Sequence, residues 1–249
     1  MPEPIALVTG GARRIGAAIV RALHARGLSI VIHCNQSMAD AENLATELNA
    51  TRAGSVKIVQ ADLCDQTAVD ELANKVLRSF GRMDVLVNNA SLYFPTPLDL
   101  ASQKDWDALV DSNVKAHFFL SRSLAGELRQ RAGAIVNITD IYADRPLAGH
   151  AIYNIAKAGL KALTRSLALD LAPEVRVNAV APGAILWGPD LADESKPDVV
   201  AKRQKFLQSI PLGRLGTPRE IAATACYLAL DNPYMTGATI RVDGGRALT

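Results

Sequence analysis

Tyr153 and Lys157 are the two residues of this chain whose types and spacing point most directly to catalysis. They lie near the start of segment 151–171, whose apolar residues recur every three or four positions, as in a helix. Side chains four positions apart share a helix face, so the Lys157 ammonium can lie close to the Tyr153 phenol. Such a charge lowers a tyrosine pKa from its ordinary value of about 10. We therefore predict that Tyr153 is a general acid toward a carbonyl or imine that receives a hydride.

A glycine turn follows the first apolar run of the chain and precedes a helical segment. It reads Thr9-Gly10-Gly11-Ala12-Arg13-Arg14-Ile15-Gly16. Glycines at such a turn let the backbone approach a pyrophosphate, whose charge the N-terminus of the next helix stabilises. A strand-to-helix turn can also need glycine for purely steric reasons. Its place after the first strand favours a dinucleotide site with Gly10, Arg13, Arg14 and Ile15 in contact with the cofactor.

The end of the second apolar run bears on which dinucleotide binds. A carboxylate at this place accepts the ribose 2′-hydroxyl of NAD. Here the chain reads Ile32-His33-Cys34-Asn35-Gln36-Ser37, with no carboxylate before position 40. Asn35 and Ser37 can donate hydrogen bonds to a 2′-phosphate, and the glycine turn can add an arginine. We predict NADPH as the cofactor; the alternative is that these are only polar turn residues.

Polar residues also follow the third and fourth apolar runs, at the edge of the sheet where the cofactor would lie. The first set is Ala61-Asp62-Leu63 and the second is Asn88-Asn89-Ala90. Asp62 can accept a hydrogen bond from an adenine amino group. Taken singly, each set also fits a helix cap or a turn. We predict cofactor contacts from Asp62, Leu63, Asn89 and Ala90.

Short apolar runs rich in Val and Ile alternate along the chain with segments of helical period. The runs are 5–8, 28–32, 56–59, 85–87, 134–138, 175–180 and 239–242, and the helical segments are 15–26, 39–49, 67–80, 105–131, 151–171 and 218–230. Continuous apolar runs suit strands covered on both faces. The alternation predicts an α/β fold in which residues 1–249 form a single Rossmann-type domain with a doubly wound parallel sheet flanked by helices.

Segment 181–212 is the least regular part of the chain. Pro182, Gly183, Trp187, Pro189, Pro197 and Pro211 interrupt it, although 199–208 can form a short helix. Ligands of open α/β folds bind beyond the carboxyl ends of the strands. We therefore predict that this segment is a mobile substrate lid; an ordinary surface loop is the alternative. Trp187 in this segment either covers the substrate or only packs against its neighbours.

Composition narrows the class of protein. The 27 basic and 25 acidic residues leave a net charge of +2, with 49% hydrophobic and 21% charged residues, which argues against nucleic-acid or membrane partners. Cys34, Cys64 and Cys226 are far apart and are predicted to be buried apolar residues in a reducing compartment. The four histidines show no metal-ligand spacing, so we predict no metal. No signal peptide or membrane span is visible, which predicts a cytoplasmic protein.

In their order along the chain, these motifs resemble the short-chain dehydrogenase/reductase family. They are the glycine turn, Asn88-Asn89-Ala90, Asn113, Tyr153 with Lys157, Pro182-Gly183 and Val242-Asp243-Gly244-Gly245. The resemblance implies a seven-stranded parallel sheet and a homotetramer, with Pro182 and Gly183 at the cofactor. It also implies that Asn113, Tyr153 and Lys157 are catalytic. Asn113 would hold a water of the proton relay, and Lys157 would bind the nicotinamide ribose.

Two departures from the common family pattern resemble the pteridine reductase branch. Arg14 stands where glycine is usual, and Asp140 stands where serine is usual, thirteen residues before Tyr153. The segment Ser91-Leu92-Tyr93-Phe94-Pro95-Thr96-Pro97 also resembles that branch. The resemblance implies NADPH-dependent reduction of dihydropterins, and in some members of oxidised pterins and folates. Arg14 would contact cofactor phosphate and pterin, Ser91 and Ser37 the cofactor, and Tyr93 would stack on the pterin ring.

The chemistry of a pterin agrees with this placement. Its amino group and ring nitrogens include donors that a carboxylate at Asp140 can accept, and Asp140 can also assist proton delivery through Tyr153. An aromatic ring at Tyr93 suits a flat heterocycle. We thus predict substrate contacts from Arg14, Ser91, Tyr93, Asp140 and Tyr153. The alternatives are that Asp140 is a loop cap, with Thr139 as the functional hydroxyl, and that Tyr93 only packs on apolar neighbours.

Three other functions compete with the reduction of a pterin. The first is a carbonyl reductase such as a 3-oxoacyl-carrier-protein reductase, in which the same tyrosine protonates an alkoxide. The second is a non-catalytic dinucleotide sensor, and the third is a methyltransferase with a glycine turn. Asp140 and Arg14 argue against the first because a simple ketone needs neither. Asn113, Tyr153 and Lys157 argue against the other two.

Overall fold

A computed structural model describes residues 3–188 and 191–249 of the chain. Its strands are β1 (Ile5–Val8), β2 (Ser29–Cys34), β3 (Val56–Gln60), β4 (Val85–Asn88), β5 (Ala134–Ile138), β6 (Arg176–Pro182) and β7 (Thr239–Val242). They form one sheet in the order β3-β2-β1-β4-β5-β6-β7, and every neighbouring pair is parallel. This confirms the predicted doubly wound sheet of seven strands.

Helices connect the strands and cover both faces of the sheet. They are α1 (Arg14–Ala25), α2 (Met38–Thr51), α3 (Gln66–Phe80), α4 (Gln103–Val110), α5 (Ala116–Gln130), α6 (Ala151–Asp170), α7 (Pro197–Gln208) and α8 (Pro218–Cys226). The described residues also form the π-helical turns Asp111–Lys115 and Tyr227–Asp231 and the 3₁₀ turns Ile141–Ala143 and Arg246–Leu248. Parallel strands need such crossover helices, which is why strand and helix alternate.

Side chains of successive strand residues enter two different apolar layers. Ala6 and Val8 of β1 pack into the layer formed with α1, α2 and α8, whereas Ile5 and Leu7 pack into the layer formed with α3, α5 and α6. The strand period of two thus buries both faces. This explains why β1 is apolar at every position.

The order of the strands reverses between β1 and β4. β1 pairs with β2 on one side and with β4 on the other, so the chain first builds the sheet in one direction and then returns to build it in the other. At such a switch point, the loops beyond the carboxyl ends of the two central strands diverge and leave a crevice. The glycine turn and Asn89 lie beside this crevice.

The structure corrects several predicted boundaries. Segment 105–131 was predicted as one helix, but the π-helical turn Asp111–Lys115 divides it into α4 and α5, and segment 218–230 likewise ends in a second π-helical turn. β2 continues to Cys34 because its last residues pair with β3, and β6 continues to Pro182 beside β7. The predicted helix 199–208 begins at Pro197.

One prediction about the cysteines is wrong. Cys34 and Cys226 are buried, but Cys64 is exposed. It follows β3 in a turn where the Asp62 carboxylate accepts its backbone N–H at 2.9 Å, so it lies outside both apolar layers. Within the described ranges, no cluster of His, Cys, Asp and Glu could hold a metal ion. Nor does any helix of those ranges have the length and apolar character that crossing a membrane requires.

Candidate active site

Tyr153 and Asp140 share a partly buried hydrogen bond beyond the carboxyl end of β5. The Tyr153 hydroxyl, in the first turn of α6, donates to Asp140 Oδ2 at 2.9 Å. Asp140 Oδ1 accepts the backbone N–H of Tyr142 at 2.9 Å and so caps the 3₁₀ turn. The carboxylate is therefore both a loop cap and the partner of the phenol. The Thr139 hydroxyl instead donates to the Val180 carbonyl at 2.9 Å, so it is engaged in pairing with β6.

Lys157 lies one helical turn after Tyr153, as its spacing predicts, and its side chain is buried. Its Nζ donates to the Ile138 carbonyl at 3.1 Å and lies 5.6 Å from the centroid of the Tyr153 ring. Burial lowers the pKa of Lys157 to about 8, and the Asp140 carboxylate opposes this change. Lys157 is thus a buried amine that titrates near neutral pH.

The predicted lowering of the Tyr153 pKa is wrong for this structure. Burial of the phenol raises its pKa well above 10, and the negative charge of Asp140 and the hydrogen bond to it raise the pKa further. The Lys157 Nζ lies 5.6 Å from the ring centroid and donates to the Ile138 carbonyl, and its charge does not outweigh the effects of burial and Asp140 on this pKa. Tyr153 therefore keeps its proton at neutral pH, which suits a proton donor.

Asn113 and Ser91 connect the π-helical turn to the tyrosine. Asn113 is buried, and its Oδ1 accepts the Ser91 hydroxyl at 2.6 Å. Its Nδ2 donates to the carbonyls of Leu92 and Leu109, each at 2.9 Å, which holds the loop after β4 in place. Ser91 lowers the pKa of the Tyr153 phenol, against the larger effects of burial and Asp140. The structure thus brings the predicted Asn113, Ser91 and Tyr153 together.

Tyr93 stands at the mouth of this site and is 54% exposed. Its ring meets the Tyr153 ring edge to face at 4.9 Å and lies parallel to the His150 ring at 5.0 Å. The loop that carries Tyr93 is joined to the one that carries His150 by the Thr96 N–H, which donates to the Gly149 carbonyl at 2.7 Å. Sequence reasoning missed His150 because nothing in its spacing predicts this contact.

The glycine turn packs against the ends of β2 and β4. Gly10 has a φ of +59°, and its N–H donates to His33 Nδ1 at 3.1 Å. A Cβ on Gly16 would lie 2.1 Å from the Gly10 carbonyl oxygen, and Asn89 Nδ2 donates to that same oxygen at 3.1 Å. Burial lowers the pKa of His33 to about 4, so the ring accepts this N–H as neutral imidazole. The steric need for glycine is therefore real here.

Arg14 is the residue of this turn with the least favourable backbone. Its φ is +52°, in the left-handed region that favours glycine. Arg13 precedes α1 in an extended conformation, and its side chain forms no capping hydrogen bond with that helix. The polar N–H groups of the first turn of α1 and two arginines therefore lie together, which suits the phosphates of a dinucleotide. Ile15 is partly buried beside the layer that α1 covers.

The residues predicted to choose the cofactor lie at the N-terminus of α2. Ser37 precedes this helix without forming a side-chain cap, and the Asn35 side chain is exposed. Arg13 Nε lies 3.6 Å from Asp40 Oδ2, and both side chains are exposed. Asp40 comes too late in the chain to occupy the usual carboxylate position, but the ion pair brings it next to Arg13.

The remaining predicted cofactor residues follow β3, β4 and β6. Asp62 is exposed and uses one oxygen in the turn to Cys64, whereas the Leu63 side chain belongs to the core, so any cofactor contact must come from its backbone. The Ala90 N–H donates to the Thr9 hydroxyl at 3.0 Å.

Pro182 is the last residue of β6, and Gly183 follows it beside the end of β7. The Gly183 N–H donates to the Val242 carbonyl at 3.0 Å, and a Cβ at position 183 would lie 2.6 Å from Asp243 Cβ. The close approach of the two strand ends therefore requires glycine here. This pairing places Pro182 and Gly183 at the same edge of the sheet as Asp140.

Aromatic contacts join the two parts of segment 181–212 that the structure describes. Trp187 packs edge to face on Phe206 of α7 at 5.5 Å, and the Arg203 guanidinium lies 4.8 Å from the centre of the Trp187 ring. Pro189 lies outside the described residues. Trp187 therefore packs on the lid helix here; the mobility of the segment and its role as a lid remain predictions.

Comparisons with known proteins agree with the fold and show the family. The model of a family described as enoyl-(acyl carrier protein) reductase matches residues 10–247. A 3-oxoacyl-[acyl-carrier-protein] reductase of Synechocystis is 38% identical over 98% of this chain and 97% of the relative. Pteridine reductase 1 of Leishmania tarentolae is 34% identical over 99% of this chain and 97% of the relative. A 3-oxoacyl-[acyl-carrier-protein] reductase of Staphylococcus aureus is 37% identical over 96% of each chain.

A doubly wound sheet with a tyrosine and a lysine one helical turn apart beside its switch point defines a class of dinucleotide-dependent oxidoreductases. The chain belongs to the short-chain dehydrogenase/reductase family, as its motifs predicted. Its cofactor is accordingly a nicotinamide dinucleotide. The predicted non-catalytic sensor and methyltransferase are not favoured by membership of this oxidoreductase family.

Proposed function

We propose that this protein is an NADPH-dependent pteridine reductase that converts dihydropterins to tetrahydropterins. The observation that carries the proposal is the partly buried Asp140 carboxylate, which accepts the Tyr153 hydroxyl at 2.9 Å. A pterin presents an amino group and ring N–H groups that need acceptors, and a carboxylate accepts several hydrogen bonds at once. A ketone oxygen offers only lone pairs, so an ionised carboxylate beside it has no donor to accept and repels the alkoxide that forms.

The chain's own residues supply the proton and the orientation. When bound, the reduced nicotinamide supplies a hydride to the carbon of the substrate's C=N bond. The Tyr153 hydroxyl supplies the proton to the nitrogen, which completes the reduction to CH–NH. Asp140 and Tyr93 bind the ring, by a charge-assisted hydrogen bond and by stacking. Lys157 holds a positive charge beside the phenol, and Asn113 orients Ser91 toward it.

The N-terminus of α2 supports NADPH rather than NADH as the cofactor. Asn35 and Ser37 are free of capping bonds there, and Arg13 lies near enough to pair with Asp40. A 2′-phosphate can accept hydrogen bonds from all three residues. We expect a kcat/KM with NADPH at least about tenfold that with NADH, or about 1.4 kcal/mol of differential stabilisation. Equal efficiency would contradict this choice.

Reduction of a 3-oxoacyl-carrier-protein is the second candidate. It is supported by relatives of that name at 37% and 38% identity, slightly above the 34% of the pteridine reductase. Identity over the whole chain reflects mainly the shared fold, whereas substrate choice depends on a few residues at the site. We therefore give more weight to Asp140 and Arg14, both of which depart from the common family pattern.

The deciding experiment compares the two substrate classes directly. NADPH oxidation is measured with dihydrobiopterin, dihydromonapterin, dihydrofolate and an acetoacetyl thioester under one set of conditions. We expect kcat/KM to be highest with a dihydropterin. Turnover of the thioester alone would overturn the proposal in favour of the second candidate, and the absence of any turnover would reopen the non-catalytic sensor.

We also propose that residues 1–249 form one domain, that the protein acts in the cytoplasm on a small molecule, and that it assembles as a homotetramer. Assembly is supported by exposed apolar side chains on two neighbouring helices. Phe118 of α5 is 41% exposed and Leu169 of α6 is 81% exposed. Exposed apolar residues of this kind often mark contacts between subunits.

A further inference from the structure

The C-terminal residues of the described chain approach the site opposite α6. Arg246 begins the 3₁₀ turn Arg246–Leu248 and directly follows Gly245, whose φ is +85°. The Asp243 carboxylate accepts the backbone N–H groups of Gly245 and Ala247 at 3.0 Å and 2.8 Å. Arg145 donates to the Arg246 carbonyl at 2.6 Å. The backbone of Arg246 is thus held from both sides.

The side chain of Arg246 lies between the lid helix and the loop of Asp140. Its guanidinium carbon lies 4.0 Å from the centre of the Phe206 ring of α7, and its Nη2 donates to the Tyr142 hydroxyl at 3.3 Å. Burial raises the pKa of Asp140, Tyr93 and Tyr142, and the positive charge of Arg246 opposes this rise in all three. The guanidinium therefore faces the mouth of the site.

Most of the hydrogen-bonding capacity of Arg246 is unused. A guanidinium has five N–H donors in one plane, and stacking on an aromatic ring occupies its face rather than these edges. Among residues 3–188 and 191–249, the Tyr142 hydroxyl is the only hydrogen-bond acceptor for its side chain, and no carboxylate forms an ion pair with it. In contrast, Arg203, which lies over the Trp187 ring, pairs with Glu194 and donates to the carbonyls of Leu191 and Ala192.

We propose that Arg246 binds an anionic group that the substrate carries beyond its reacting ring. A cation fixed beside Tyr93 at the mouth, with most of its donors free and with Asp140 deeper in the site, can pair with a carboxylate in bidentate geometry. This inference rests on the proposed function and deepens it. It assigns to the enzyme a preference for pterins with a carboxylate-bearing tail, such as dihydrofolate, over neutral pterins of the same ring.

The test measures binding separately from turnover. The dissociation constants of folic acid and biopterin are determined by calorimetry for the NADP⁺-loaded enzyme and for its Arg246→Gln and Arg246→Lys variants. Arg241→Gln is the matched control, since Arg241 lies on β7, is exposed and also carries one positive charge. We expect Arg246→Gln to weaken folic acid binding about tenfold, as loss of a charge-assisted hydrogen bond does, and to leave biopterin unchanged. Arg246→Lys should restore part of the loss.

Each outcome separates the inference from the proposed function. If Arg246→Gln weakens both ligands equally or neither of them, the role of Arg246 is refuted while the proposed function stands. If the wild type binds neither pterin, the proposed function fails, and the assignment of a pterin tail to Arg246 fails with it. Steady-state KM values for dihydrofolate, dihydrobiopterin and acetoacetyl-coenzyme A then identify the source of the anion. An effect of Arg246→Gln confined to the coenzyme A thioester would overturn the carboxylate assignment.

Discussion

Tyr153 is a proton donor in the site, and the Asp140 carboxylate beside it is a hydrogen-bond acceptor. The phenol keeps its proton because burial and the neighbouring carboxylate raise its pKa. Burial also raises the pKa of Asp140, while the Tyr142 N–H, the Lys157 charge and the phenol oppose that rise. The shared hydrogen bond therefore places a proton donor beside an acceptor. A substrate with both a C=N bond and N–H donors uses the two groups at once.

Removing the phenol oxygen tests the proton donor. In Tyr153→Phe the ring and its packing remain, but the acid is lost, and general acid catalysis contributes about 10²- to 10⁴-fold in rate. We expect kcat to fall by that factor, while the dissociation constant of NADPH, followed by fluorescence, stays near that of the wild type. Near-normal turnover of the variant would exclude Tyr153 as the acid.

Replacing the carboxylate by the residue that is common in the family tests the substrate class. In Asp140→Ser, a charge-assisted hydrogen bond to the pterin is lost, so kcat/KM for a dihydropterin should fall about tenfold or more. Activity toward a model ketone should stay the same or rise. Steady-state kinetics on both substrates give the comparison, and circular dichroism checks the fold. Unchanged dihydropterin activity would refute the role of Asp140.

The buried amine of Lys157 predicts the alkaline limit of activity. Its folded pKa of about 8 means that it is an ammonium below that pH and a neutral amine above it. Because the positive charge lowers the pKa of Asp140 and so favours the carboxylate beside Tyr153, kcat/KM should fall as the pH rises through about 8. A pH–rate profile measures this, with circular dichroism at each pH as the control for unfolding. A profile that stays flat well above pH 8 would contradict the assignment.

The turn between β1 and α1 combines a steric constraint with a strained conformation. Gly10 and Gly16 are needed because strand ends and backbone approach closely there. Arg14, in contrast, adopts a φ of +52° that an arginine disfavours. Strain of this kind persists at sites where the side chain has a function. The π-helical turn Asp111–Lys115 is a second irregular element near the site, and Asn113 lies within it.

Replacing Arg14 by glycine should relieve the backbone strain at this position and weaken the binding of NADPH. We expect Arg14→Gly to raise the free energy of unfolding by up to about 1 kcal/mol, since the relief of a left-handed conformation exceeds the entropy that glycine adds to the unfolded chain. Its NADPH dissociation constant should rise. Ala132→Gly is the matched control because Ala132 has a φ of +48° and follows α5. It should be stabilised similarly with unchanged NADPH affinity; equal affinities in both variants would refute a cofactor contact by Arg14.

The helices α5 and α6 precede and follow β5 in the chain, and their solvent-exposed faces carry Phe118 and Leu169. Covering these faces by a second chain would remove apolar surface from water. A homotetramer requires more than one such contact. The lid, the C-terminal turn and Asp140 lie beyond the carboxyl ends of the strands.

Light scattering tests this assembly. The wild-type particle should have four times the chain mass of 26.5 kDa. Phe118→Glu and Leu169→Glu should shift it to smaller species because a charge buried in an interface is costly. Tyr234→Glu is the control, since Tyr234 is fully exposed outside these helices. A monomeric wild type, or a control variant that dissociates equally, would contradict the proposal.

Much of the fold follows from local patterns in the chain. The runs 5–8, 134–138 and 239–242 match β1, β5 and β7 at both ends. The reason is plainest for β1, which is buried and apolar at every position because both of its faces are covered. The ends of β2 and β6 could not be predicted, since the pairing of Cys34 with Gln60 and of Pro182 with Val242 depends on partner strands distant in sequence. The π-helical turns within segments 105–131 and 218–230 leave no signal in the apolar period.

The sequence likewise predicts some features of the site, whereas others depend on tertiary contacts. Helix geometry places Tyr153 one turn before Lys157, so their spacing in the sequence predicts that they lie close together. The spacing does not predict the protonation state of Tyr153. That state depends on burial and on the Asp140 carboxylate, which the loop after β5 brings within 2.9 Å of the Tyr153 hydroxyl. The contact of His150, at the start of α6, with Tyr93 of the loop after β4, and the approach of Arg246 from the C-terminal turn, also join segments that are distant in the chain. Spacing along a chain fixes neighbours on one helix, whereas contacts between separate segments, and the pKa values they set, arise only when the sheet and its loops assemble.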